Sequence, residues 1–177
     1  MKLFFIIPYL MFMSFLSHGY SAIKLNDGIN YLTLKDDNAT IIIFSAIFNN
    51  NTSHSNHTVT FFVKNNNNWS IIPSPDDNGF IWSDFILSAS GIKIANFRLY
   101  KNKDQYYIVK GVKVTSHSHE DLTDSTKVNF TGYKLSTNQS DPGVSNYFWL
   151  FLGSYITNDT YIDIDDAFNF LDMRFFK

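Results

Sequence analysis

The chain has no cysteine among its 177 residues. An exported domain with a thin core usually leans on disulfides, so without them the fold must rest on apolar burial. There is no excess of basic charge either. Fourteen Lys and Arg face 16 Asp and Glu, for a formal net charge of −2. That balance gives no electrostatic reason to expect a nucleic acid or an anionic membrane as partner. No repeat of 20–50 residues occurs, and no linker is long enough to divide the chain. No Gly-x-Ser-x-Gly nucleophile elbow is present. After residue 22 no apolar run is long enough to suggest a membrane span, which needs about 20 residues.

What the chain has in quantity is aromatic surface. It carries 18 Phe, 10 Tyr and 3 Trp, each able to bury ~150–250 Å². The first residues have the three-part layout of a secretory signal peptide: Lys2, an apolar run over Leu3–Leu16, then Gly19 and Ser21 in the minus-three and minus-one places. Residues 1–21 are therefore expected to be removed and residues 22–177 to form one β-rich domain in the periplasm. The mature chain would be one unit more negative, because Lys2 is the only charge lost. Asn-x-Ser/Thr sequences recur at Asn38, Asn50, Asn51, Asn56, Asn68, Asn129, Asn138 and Asn158. They are glycan acceptors only in a eukaryotic secretory route, and a composition rich in Asn, Ile, Phe and Lys generates them by chance.

The apolar pattern has mostly period two, the signature of half-buried strands. Strands are expected around Leu32–Leu34 and over Thr40–Phe48, Thr58–Val63, Trp69–Ile72, Phe80–Leu87, Ile92–Tyr100, Gln105–Val114, Lys127–Leu135 and Tyr147–Leu152. The Lys127–Leu135 segment changes parity at Gly132, as a bulge would produce. Turn chemistry separates them at Asn26-Asp27-Gly28, Asp76–Gly79, Lys101–Asp104 and Asp141-Pro142-Gly143. One segment has helical spacing: Ile164, Ala167, Phe168 and Leu171, with Asp163 as N-cap and Asp165 and Asp166 in the first turn. Short strands at this spacing predict a single antiparallel β-sandwich or barrel-like domain with a short C-terminal α-helix.

Four constellations invite a chemical reading. His117-Ser118-His119-Glu120-Asp121 has the HxHxD spacing of metallo-hydrolases, in which zinc lowers the pKa of a bound water. No histidine follows His119, and the polar surroundings suit a solvated loop. Ser90-Gly91-Ile92-Lys93 matches the Ser-x-x-Lys of serine β-lactam chemistry, but its companion motifs are missing and strand spacing sends the two side chains to opposite faces. Asp36-Asp37-Asn38 begins like a calcium loop without completing one, and is read as a turn. His54 and His57 are expected in an exposed loop leading into the Thr58 strand. Trp69, Trp82 and Trp149 are read as core or interface aromatics. The residues thus nominate no catalytic set, no metal ligands and no cofactor, and they leave the binding residues unassigned.

Several stretches taken in order carry a resemblance. They are Ile23–Asn30, His57–Val63, Asn68–Pro73, Val128–Leu135 and Asp165–Phe168, behind a signal peptide and without cysteine. Together they resemble the CarG-type carbapenem intrinsic-resistance proteins, small periplasmic proteins of carbapenem producers. The resemblance implies protection of the producer without hydrolysis, with the drug or a cell-wall-synthesis target as partner, and it leaves room for a homodimer. Two other classes stay open from the residues alone. One is a secreted hydrolase with a scattered or metal-dependent site, and the other is a secreted glycoprotein that binds a host protein.

Overall fold

The structure, a computed structural model, describes residues 19–35, 39–48, 56–75, 79–87, 90–115, 122–143 and 145–176. Eleven strands form in chain order: β1 (Ser21–Ile23), β2 (Gly28–Leu34), β3 (Ala39–Phe48), β4 (Asn56–Asn65), β5 (Asn68–Ile72), β6 (Trp82–Ser83), β7 (Phe85–Ile86), β8 (Lys93–Asn102), β9 (Gln105–Lys113), β10 (Val128–Thr137) and β11 (Tyr147–Ile156). A helix, α1 (Ile164–Asn169), and a 3-10 turn at Met173–Phe175 close the chain. Five strands run β1-β8-β9-β10-β11 with β7 added beside β8, making a six-stranded sheet. The other sheet has five strands, β2-β3-β4-β5 with β6 beside β4. Every named pairing is antiparallel. The expected sandwich is therefore present, and no closed barrel forms.

The period-two pattern explains the main core. On β3, Ile41 and Ile43 point inward with Val59, Phe61 and Val63 of β4, and they meet Phe97, Leu99, Tyr106, Ile108, Leu135 and Trp149 of the facing sheet. Trp82 and Trp149 sit deep in this layer, in edge-to-face contact at 6.0 Å. Trp69 differs: it stands on the outer face of the five-stranded sheet, 55% exposed, with the Lys64 ammonium over its ring. Thr40–Phe48 was expected to be a buried central strand, yet Phe44 and Ile47 are exposed. Among the described residues, none forms a layer over the outer face of the five-stranded sheet.

A second core lies on the outer face of the six-stranded sheet. Val109, Val128 and Phe130 are covered there by Ile164, Ala167 and Phe168 of α1 and by Met173 and Phe176. This explains the parity change seen in the sequence. Along β10, Val128 and Phe130 face the helix layer, whereas Tyr133 and Leu135 face the sandwich interior. The ladder irregularity between Gly132 and Tyr133 is real, but the extra residue lies on β11, between Phe151 and Gly153. Gly132 itself is needed for closeness, because a Cβ there would overlap the Phe176 ring.

One expected element divides in two. Phe80–Leu87 is not a continuous strand, since Trp82–Ser83 pairs with β4 in one sheet and Phe85–Ile86 with β8 in the other. The chain crosses between the sheets at Asp84. The C-terminal helix forms as expected, with the Asp163 carboxylate accepting from the Asp165 N–H at 2.8 Å and Ile164, Ala167 and Phe168 buried. Leu171 lies just past its end.

Phe168 packs edge-to-face on Phe130 at 4.8 Å and lies under the Arg98 guanidinium. Phe168→Ala should therefore cost ~3–5 kcal/mol, the usual loss for a buried aromatic. Asn169→Ala, on the exposed side, should leave the melting temperature nearly unchanged. Thermal melts that reversed this order would show that the helix is in another register.

Candidate functional site

The two ends of the sandwich differ in chemistry. At one end Asp84 is buried at 3% exposure where the chain changes sheets. Its carboxylate accepts from the His57 N–H at 2.6 Å, and its own N–H donates to the His57 carbonyl at 3.1 Å. The Lys93 ammonium lies 3.5 Å from Asp84 and 3.0 Å from Asp165. Asp165 also takes Arg98, and Asp163 accepts from the Lys93 N–H. Burial alone would lower the Lys93 pKa, but its bond to Asp165 and the two carboxylate charges outweigh that and hold it above 10.5. Burial would raise Asp165, and its bonds to Lys93 and Asn96 with the Arg98 charge bring it below 3.8 instead. This chain of charges joins β4, the crossing between β6 and β7, β8 and α1.

Beside it is a pair that the sequence did not suggest. Ser45 Oγ and His57 Nε2 are 2.7 Å apart, and the His57 ring stacks on Phe97. His57 is thus part of β4 and half-buried, not in an exposed loop. A hydroxyl against an imidazole is the arrangement of an activated nucleophile. Here Ser45 is 2% exposed, and Asp84 binds the His57 backbone and not its ring. The orienting third group of such a site is therefore differently engaged.

The other nominated residues are not brought together. Ser90 Oγ accepts from the Ile92 N–H while the Lys93 ammonium is held by the two aspartates, so the Ser-x-x-Lys match makes no contact. His117–Asp121, Asp36–Asn38 and His54 lie outside the described residues. Among the described residues no three His, Asp or Glu side chains gather as a metal ion would need. Lys113, buried on β9, donates to the carbonyls of Leu122, Asp124 and Ile162 at 2.6–2.9 Å. Burial lowers its pKa against the pull of Asp163 and Asp124.

At the opposite end the closing rungs of four hairpins, β2–β3, β4–β5, β8–β9 and β10–β11, come together. The β9–β10 ladder stops at Lys134↔Tyr107, while β10–β11 pairing runs on to Thr137↔Tyr147. The resulting fork is a recess of about 430 Å³ over Leu34, Leu135 and Tyr147, lined by Gln105, Lys134 and Thr137 among others. It adjoins a second recess of about 330 Å³ walled by Asn65, Asn68, Ser70 and Asn146, with Thr137, Gln139 and Tyr147 common to both. Ligand sites commonly measure ~300–1,000 Å³. A larger recess, about 780 Å³, lies beside the 3-10 turn, where the guanidinium of Arg174 is already clamped by Asp172 at 2.6 Å. The hairpin end is the better candidate, because its amide and hydroxyl groups face open space. No feature of the sequence could have placed these four turns together, since their meeting is a property of the strand order.

Comparison with known proteins gives a consistent result. The sequence profile of the family described as "Carbapenem resistance protein CarG-like" matches residues 25–170. A solved structure, the crystal structure of CarG, is similar at 33% identity and a TM-score of 0.79, over 89% of this chain and 99% of that one. Among curated proteins nothing matches.

The charge network at the Asp84 end should be visible in acid stability. Asp165 has a lowered folded-state pKa, so its contribution is complete above 3.8 and is lost as pH falls through the lowered value. Lys93, with a raised pKa, loses its contribution only as pH rises above 10.5. Urea midpoints should fall as pH drops below about 4. Asp165→Asn should be less stable near neutral pH and should lose less on acidification. Parallel curves for the two proteins would remove Asp165 from the account.

Proposed function

Because the chain belongs to the CarG-like family of carbapenem resistance proteins, we propose that it acts in the periplasm and protects a carbapenem producer from its own drug stoichiometrically, without hydrolysing it. The observation that carries this proposal is the likeness to CarG over nearly the whole chain at 33% identity. Protection follows either from holding the drug or from shielding a cell-wall-synthesis target. The site geometry supports binding over turnover. In the one hydroxyl–imidazole pair described, Ser45 with His57, the hydroxyl is buried, whereas the described lining of the open recesses carries amides and hydroxyls without an imidazole beside them.

Export is supported by the layout of the first 21 residues. Cleavage after Ser21 keeps Ala22 and Ile23 of β1 against β8 and removes Tyr20, whose ring packs on Tyr107. We place the homodimer contact on the open outer face of the five-stranded sheet, where Ile29, Tyr31, Phe44 and Trp69 are uncovered. Uncovered apolar faces of this kind commonly mark association surfaces, and gel filtration at several concentrations would reveal a monomer if that placement is wrong.

In a carbapenem-sensitive host, resistance should rise in proportion to the amount of this protein in the periplasmic fraction, and drug recovered from the medium should be intact. The purified periplasmic chain should begin at Ala22. His117→Ala with His119→Ala should leave resistance in place, as should Ser90→Ala. Disappearance of the drug from the medium, abolished by the double histidine change, would show a metallo-hydrolase instead.

A further inference from the structure

Among the described residues, the fork between β9 and β10 contains one cation that no carboxylate occupies. Of its two lysines, Lys35 is paired with Asp104 at 2.7 Å. Lys134 makes no hydrogen bond or ion pair with any described residue. It sits at the last rung before β9 and β10 separate, so the ladder's end puts it beside the gap. Besides the mutually paired Lys35 and Asp104, the polar lining described is uncharged: Gln105, Ser136, Thr137 and Gln139. The adjoining recess, with Asn65 and Asn68, adds amides but no charge.

We propose that this fork binds a small monoanion of the carboxylate class, with the carboxylate on the Lys134 ammonium and its remaining polar atoms on Gln105, Thr137 and Gln139. Three observations carry the assignment. The chain has a net charge of −2, so an anion approaches it only where a local cation is left unpaired. The fork offers one such cation, which fits one negative charge and not several. The surrounding amides and hydroxyls both donate and accept, which suits the carbonyl and hydroxyl groups of a compact polar ligand. At about 430 Å³ the recess has room for a bicyclic small molecule and not for a folded partner.

A carbapenem, with its single ring carboxylate, belongs to this class. The inference therefore rests on the drug-holding form of the proposed function, and it names the residue that would set affinity. A neutral oligosaccharide could use the same amides but would be indifferent to Lys134.

Calorimetric titration of the purified protein with a carbapenem free acid, and separately with its neutral methyl ester, tests this. The acid should bind wild type, more weakly at higher salt. The ester should bind about tenfold or more weakly, the size of one charge-assisted hydrogen bond. Lys134→Met should lose the same factor for the acid while melting like wild type, because Lys134 has no partner to leave behind. Lys134→Arg should retain most of the affinity. Lys64→Met, on the outer face beside Trp69, should bind normally. Equal binding of acid and ester, or unchanged binding by Lys134→Met, would overturn the fork assignment and leave stoichiometric protection standing. Failure of wild type to bind the acid at all would overturn both this assignment and drug holding, leaving the target-shielding form of protection.

Discussion

The carboxylate of Asp84 is the group on which the rest of the structure depends. A buried carboxylate is costly unless it is hydrogen-bonded and paired. This one is both, through the His57 N–H at 2.6 Å and the Lys93 ammonium at 3.5 Å. Those partners belong to different sheets, so satisfying the charge requires the sheets to meet there. Lys93 then reaches Asp165 on α1, and the helix is drawn onto the back of the six-stranded sheet. One buried charge thus sets the crossing of the chain, the closed end of the sandwich and the position of the second core.

The opposite end is held by lighter means. Tyr106 donates its hydroxyl to the Thr33 carbonyl at 2.9 Å, and Ser145 reaches the Ile71 carbonyl at 3.2 Å. Among the described residues the charge pair at that end is the exposed Lys35–Asp104 contact at 2.7 Å, and the connections are rich in Asn, Asp, Lys and Ser. The inner faces of the sheets separate into polar recesses instead of an apolar seam. The contrast between a locked end and an open one is the reason the proposed ligand site lies at the hairpin end.

Much of this was legible in the sequence, and the reason is local. Alternating Ile, Val and Phe produce strands wherever one face is buried, so β3, β4, β8, β9, β10 and β11 could be read from periodicity. The cap at Asp163 and the spacing of Ile164, Ala167 and Phe168 are equally local signals. What could not be read depends on contacts between distant residues. Ser45 meets His57 only because β3 and β4 pair in one register. Phe80–Leu87 looks like one strand because its apolar residues alternate, although Trp82 and Phe85 serve different sheets. Gly132 looked like a bulge because β10 serves two cores, one on each face. Lys134 carries no signal as a surface lysine. It becomes distinctive only where the β9–β10 ladder ends.

The protection proposed here is by occupancy, in which each molecule holds one drug or covers one target. The number of carbapenem molecules lost per protein molecule measures that claim directly. Purified protein incubated with a hundredfold excess of drug should leave the β-lactam absorbance at its starting value apart from the spontaneous rate, with or without a chelator. Steady loss of absorbance over many equivalents would contradict the account and identify the protein as a hydrolase.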